Sequence, residues 1–181
     1  MSVVVGLVKD GRVYMAADTR GLVDYKPLPV QKLYVSTHPQ WGRWAIGSVG
    51  HMRNAEIADE MDLPMLGWRE RRRATPQKVA RCYLDGLRDQ IERRGVTEGN
   101  GVMGNDFLLA LNGHLFQVLE FYMQDVQIAA IGCGSAHAEG ALRALFKHNP
   151  TMPPEEMVRF AVDSAASYNV AVGGEIQVII I

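Results

Sequence analysis

A strand suited to burial on both faces begins at the second residue of this chain, and that constrains the fold more than any other feature. Ser2-Val-Val-Val-Gly-Leu-Val8 is apolar and β-branched, without the polar alternation of a half-solvated strand. Such a run needs one layer of side chains above it and another below. Chain termini usually fray, so a terminus built into a core strand calls for a reason. One reason is that the α-amino group is itself used.

The rest of the chain shows how those layers are supplied. Asp10-Gly11 carries the tight-hairpin signal, and Val13–Asp18 is the returning strand. Thr19–Pro29 reads as a Gly- and Pro-bearing loop, followed by strands over Val30–Ser36 and Arg43–Gly50. Helices are expected over Asn54–Met61 and from the Thr75-Pro76 cap to Gly95, the second burying Val79, Cys82, Tyr83, Leu87 and Ile91. Val96–Asn105 is a glycine-rich loop read as mobile. Strands return over Phe107–Leu111, His114–Phe121 and Val126–Ile131, the first two joined by Asn112-Gly113. Helices over Ser135–Lys147 and Pro154–Tyr168 precede a last strand, Glu175–Ile181. Strands and helices come in blocks rather than alternating, which disfavours a doubly wound parallel sheet. Two packed, mostly antiparallel sheets with helix pairs on their outer faces satisfy the pattern. The expectation is an α+β four-layer αββα sandwich, one domain over residues 1–181.

Composition removes several function classes. Net charge is −1 across 181 residues, so no long-range field favours nucleic acid or an anionic membrane. The basic cluster Arg69–Arg73 is interrupted by Glu70 and reads as a solvated loop or helix start. No apolar run approaches the ~20 residues that cross a bilayer. Cys82 and Cys133 fit no metal or redox spacing, and the five histidines show no ligand pattern, so no metal or cofactor is expected. Two unpaired thiols and no secretory-type leader set the expectation of a cytoplasmic location.

The chemistry follows from the terminus. Removal of Met1 would leave Ser2 with a free amine, whose reference pKa near ~8 lets it act as base toward its own hydroxyl. A nearby cation would keep that amine neutral, and Lys32 is the candidate; Asp18, ending the second strand, would hold the lysine. Gly47 would present a backbone N–H to an oxyanion. Taken singly, Lys32 also reads as a sheet-edge charge and Asp18 as a turn residue.

Ser2–Val8, Met15-Ala-Ala-Asp-Thr-Arg20, Gln31-Lys-Leu-Tyr34 and Ala45-Ile-Gly-Ser-Val-Gly50 together resemble the proteasome β-subunit and HslV peptidase family. The likeness continues in Ile128–Ser135 and Gly173-Gly174. It implies an N-terminal-nucleophile peptidase with Ser2 as nucleophile, Asp18 and Lys32 as the charged pair, and Gly47 as oxyanion donor. It also implies self-association into rings, a peptide or unfolded-protein substrate, and, as in HslV, an ATPase unfoldase as a possible partner. Ser2 replaces the family's threonine and Cys133 a supporting serine; Asn169 stands where many subunits have an aspartate, and Val172 where a second serine is expected. Two further readings fit the same residues: an inert shell subunit of this fold, and a hydrolase of small amides. A phosphate-cradling role for Gly132-Cys-Gly-Ser135 lacks the lysine that such loops carry.

Overall fold

The structure is a computed structural model describing residues 2–23, 26–98, 103–119 and 122–181, with the side chains of Leu22 and Val23 excepted. Met1, Gly99, Gly101 and Phe121, which entered the sequence reading, lie outside the described residues.

A four-stranded sheet runs in the order β10-β1-β2-β11 and a five-stranded sheet in the order β5-β6-β7-β8-β9. Their strands are β1 (Val4–Lys9), β2 (Arg12–Asp18), β5 (Leu33–His38), β6 (Gly42–Gly50), β7 (Asn105–Leu111), β8 (His114–Leu119), β9 (Tyr122–Val126), β10 (Ile128–Ile131) and β11 (Ile176–Ile180). All pairings are antiparallel. Helices α1 (Met52–Glu60) and α3 (Pro76–Arg94) cover the larger sheet, and α4 (Ser135–His148) and α5 (Pro154–Tyr168) cover the smaller. The result is the αββα sandwich expected from the block pattern.

Strand alternation builds three cores. Val3, just ahead of β1, and Val5 and Leu7 on it face α4 and α5, while Val4 faces the other sheet. On β6, Trp44 and Ile46 pack under α1 and α3, while Ala45 and Val49 turn inward. The sheets approach most closely at glycines. A β-carbon on Gly6 would lie 2.6 Å from Leu115 Cδ2, and one on Gly47 2.7 Å from Val4 Cγ1 and 3.1 Å from Met15 Cε. Both hairpin turns have paired left-handed residues, Asp10 and Gly11 (φ 53° and 73°) and Asn112 and Gly113 (φ 49° and 77°). Helix α3 starts where its cap places it, with Thr75 Oγ1 accepting from Lys78 N–H at 3.3 Å.

Several expectations are corrected. The loop over residues 19–29 contains a hairpin, β3 (Arg20–Val23) with β4 (Lys26–Pro29). Its partner pairs Arg20↔Pro29 and Leu22↔Pro27 put both prolines at alternate positions, so neither missing N–H is needed by β3. The strand expected from Val30 begins at Leu33, leaving Lys32 just ahead of it. The strand expected over 126–131 breaks at Gln127, where the chain passes from one sheet to the other. Cys82 is exposed, because the buried stripe of α3 turns through Ala80 and Leu84 instead. Trp68, in contrast, is exposed, as one of its two sequence readings has it. It opens the short helix α2 (Trp68–Arg71), with the Arg69 and Arg72 guanidinium carbons 5.3 and 5.6 Å from its ring centroid. No helix among the described residues is long and apolar enough to cross a membrane.

Gly47→Ala is expected to lower unfolding stability by about 1–3 kcal/mol, the usual cost of overpacking. Urea denaturation measures it, and an unchanged midpoint would show that the two sheets can part at no cost.

Candidate active site

Asp18 ends β2 with no exposed surface, and its carboxylate gathers three donors. Oδ1 accepts from Lys32 Nζ at 2.6 Å and from Val3 N–H at 2.9 Å, and Oδ2 accepts from Gly173 N–H at 3.0 Å. Lys32, 3% exposed, also donates to the carbonyl of Arg20 at 2.7 Å. Burial pushes the Lys32 ammonium below the ordinary lysine range, and its hydrogen bond and ion pair with Asp18 offset this only in part. The pair is therefore a cation held in place under partial desolvation.

Ser2 is nearly buried, and the turn after β10 surrounds its backbone. Its N–H donates to Cys133 Sγ at 3.2 Å, and its carbonyl lies 3.4 Å from Gly134 N and 3.5 Å from Cys133 Sγ. A β-carbon at Gly132 (φ 93°) would sit 2.3 Å from that carbonyl oxygen, so only glycine allows the approach. The Gly-Cys-Gly turn thus embraces the start of the chain's first strand. Asn169 supports this turn from behind, donating from Nδ2 to the Cys133 carbonyl at 3.1 Å while Oδ1 accepts from Ala171 N–H at 3.0 Å. Val172 is buried among the apolar side chains beneath α4 and α5.

A narrow cavity of about 70 Å³ brings the pieces together; Ser2, Lys32, Gly21, Ser48, Gly50, His51 and Asn105 are among its lining residues. An open cavity of about 590 Å³ adjoins it through Val30 and Gln31, and extends along Arg20, Pro27 and Glu175. Ser2 and Lys32 line the smaller one. Asp18 joins them through its bond to Lys32, Cys133 through its contact with the Ser2 N–H, and Asn169 only through the Cys133 carbonyl.

Gly47 is not among the lining residues. It lies within β6, opposite Leu33 and Leu108, facing the other sheet. Gly50, at the end of the same strand, does line the cavity. Ser48 N–H donates to the Lys32 carbonyl at 3.0 Å, and strand alternation turns the Gly50 N–H toward the same edge, beyond the start of β5. Sequence reading missed Gly50, Asn105 and Asn54. The signal available was a second glycine closing the strand directly before a helix. Among the described residues, no His, Cys, Asp or Glu side chains cluster as they would around a metal ion.

The αββα architecture is a proteasome-like fold, shared with solved structures. Neither a protein-family profile nor a curated protein sequence matches the chain. Among solved structures it is similar to BPH of Thiobacillus denitrificans (TM-score 0.78, 20% identity, 99% of this chain and 97% of that one), which has also been solved in complex with epoxomicin. It is similar too to HslV from Trypanosoma brucei (TM-score 0.71, 16% identity, 98% of each chain). A third is Anbu, an ancestral β-subunit, from Yersinia bercovieri (TM-score 0.75, 14% identity, 99% of this chain and 81% of that one). At these identities the likeness establishes the fold.

Asp18→Asn is expected to cost about 3–5 kcal/mol of stability at neutral pH, because it leaves a buried ammonium without its counter-charge. Urea denaturation of the variant tests this, and a loss under about 1 kcal/mol would show that Lys32 finds another partner or leaves the interior.

Proposed function

We propose that this chain is an N-terminal-nucleophile peptidase in which Ser2, after removal of Met1, attacks the peptide carbonyl. The supporting observation is that Ser2 and the Asp18-clamped Lys32 line one cavity. The freed amine takes the Ser2 hydroxyl proton, directly or through a water, as Oγ bonds to the carbonyl carbon. The Lys32 ammonium stabilises the developing alkoxide and disfavours protonation of the amine. The Gly50 N–H, rather than that of Gly47, donates to the oxyanion. As the tetrahedral adduct collapses, the C–N bond breaks and the amine's proton passes to the leaving nitrogen. Water then hydrolyses the acyl ester and restores Ser2.

Substitution of serine for threonine keeps the attacking oxygen but loses the methyl that restricts its rotamers. Cys133 offers the amine a sulfur, a weaker acceptor than a hydroxyl oxygen. That contact favours, as a second reading, a non-catalytic subunit of the same fold, and the two readings separate on whether Ser2 reacts. Substrates are peptides or unfolded proteins. The peptidase self-associates into rings, with an ATPase unfoldase as the partner class the resemblance suggests. Exposed Met65 and Trp68 supply apolar surface for subunit contact. A ring of about six or more subunits separates this reading from a small-amide hydrolase, for which a monomer or dimer is expected.

Intact mass after incubation with a peptide epoxyketone such as epoxomicin is the direct experiment. The expected species lacks Met1 and carries one inhibitor per chain, and Ser2→Ala carries none and loses all hydrolysis while keeping its melting temperature. Retained Met1, or full turnover in Ser2→Ala, removes the nucleophile assignment.

The pH profile gives an independent check. Because the ammonium form of Lys32 is required and burial lowers its pKa, activity should fall on the alkaline side below the ordinary lysine value of ~10.4. Activity still level at that pH would mean that Lys32 does not tune the site.

A further inference from the structure

Resting on the reading of Gly50 as oxyanion donor, we propose that Asn105 is a positioning residue for that donor, held in turn by Asn54. Asn105 opens β7, opposite Gly50, and is 6% exposed. Its Nδ2 donates to Ser48 Oγ at 3.0 Å and to the His51 carbonyl at 3.1 Å, and its Oδ1 accepts from His51 N–H at 3.0 Å. One side chain thus grips residues 48 and 51, on either side of the Val49-Gly50 peptide whose N–H faces the cavity. Packing fixes the same unit. A β-carbon at Gly50 (φ 123°) would lie 2.4 Å from the Gly104 carbonyl oxygen and 2.7 Å from Asn105 Cγ.

The grip needs an amide. Both hydrogens of Nδ2 are used, and Oδ1 takes a second donor from Asn54 Nδ2 at 3.0 Å. Aspartate would supply the acceptor alone, and leucine neither. With all four bonds made, the amide cannot flip without leaving buried groups unpaired. Asn54, fully buried on α1, is itself fixed by the backbone of Val96, accepting from its N–H at 2.8 Å and donating to its carbonyl at 2.7 Å. The carbonyl of Met103 lies against the same Asn54 Nδ2, so its two hydrogens are shared among three acceptors. Two amides therefore connect the end of β6 to α1 and to the start of β7, and the strand end that carries the donor cannot shift alone. Oxyanion donors act only when they point where charge develops, so loosening this grip should slow chemistry while leaving substrate binding in place.

The test uses the full chain and a fluorogenic peptide amide, with kcat expressed per Ser2 labelled when epoxyketone incubation is carried to completion. Asn105→Ala is expected to lower kcat per labelled site by about 10–100-fold with KM within about threefold, part of the loss seen when an oxyanion donor is removed outright. Asn105→Asp, which loses both donors, should fall in the same direction. A kcat per labelled site within about twofold of the unmodified protein overturns the proposal, whatever happens to the melting temperature, and reduces the network to a fold element. If Asn105→Ala does not fold, Ser48→Ala removes only the hydroxyl that accepts from Nδ2; a three- to tenfold drop is then expected, on the order of one neutral hydrogen bond, and no change overturns the idea. Failure of the unmodified protein to label at Ser2 refutes the peptidase reading beneath the proposal, and that result is in hand before any variant is made.

Discussion

Everything at the candidate site depends on the carboxylate of Asp18. A buried charge is tolerated only when paired and hydrogen-bonded, and here the pairing also fixes the architecture. The three donors come from the residue after Ser2, from the residue before β5, and from the loop that follows α5. One oxygen of the group receives both Lys32 and Val3, so the cation and the first strand are referenced to the same point. Lysine adds its own tie to the carbonyl of Arg20. The charge pair therefore locates the cation relative to the first strand to within the tolerance of its hydrogen bonds.

A second constraint is how closely the layers approach. Glycine stands where β1 meets β8 and where β6 meets β1, and again where the turn after β10 meets the backbone of Ser2. The first two let the sheets pack without a gap. The third lets a backbone turn, rather than a side chain, close around the start of the first strand. The buried polar groups at the far side of the cavity, Ser48, Asn54 and Asn105, are held by one another and by the ends of the strands they join. Fold and site share these contacts, so neither can be loosened without the other.

Much of this was legible in the residues. The αββα layering followed from the block order and from strands apolar on both faces. Asp10-Gly11, Asn112-Gly113 and Thr75-Pro76 worked as punctuation because turn and cap chemistry is local. What failed was what depends on partners distant in sequence. Pro27 and Pro29 suggested a loop, since proline breaks a ladder unless its missing N–H happens to face away. Cys82 was misplaced because a stripe on a helix is narrow, and a rotation of one position exchanges a buried residue for an exposed one. Gly47 and Gly50 differ only in register: one faces the opposite sheet and the other the cavity, which the sequence does not mark. Asn54 and Asn105 carry no motif, and their bond exists only because the fold brings them face to face.

The bond from Gly173 to Asp18 spans 155 positions, and β11 closes the smaller sheet against β2. During synthesis the aspartate emerges long before the residues that complete its coordination. Non-local pairings of this kind form late and slowly, so a nascent chain carries Asp18 and Lys32 for some time without the contacts that complete their burial. Completion of the buried charge cluster is in this way postponed until translation has passed α5.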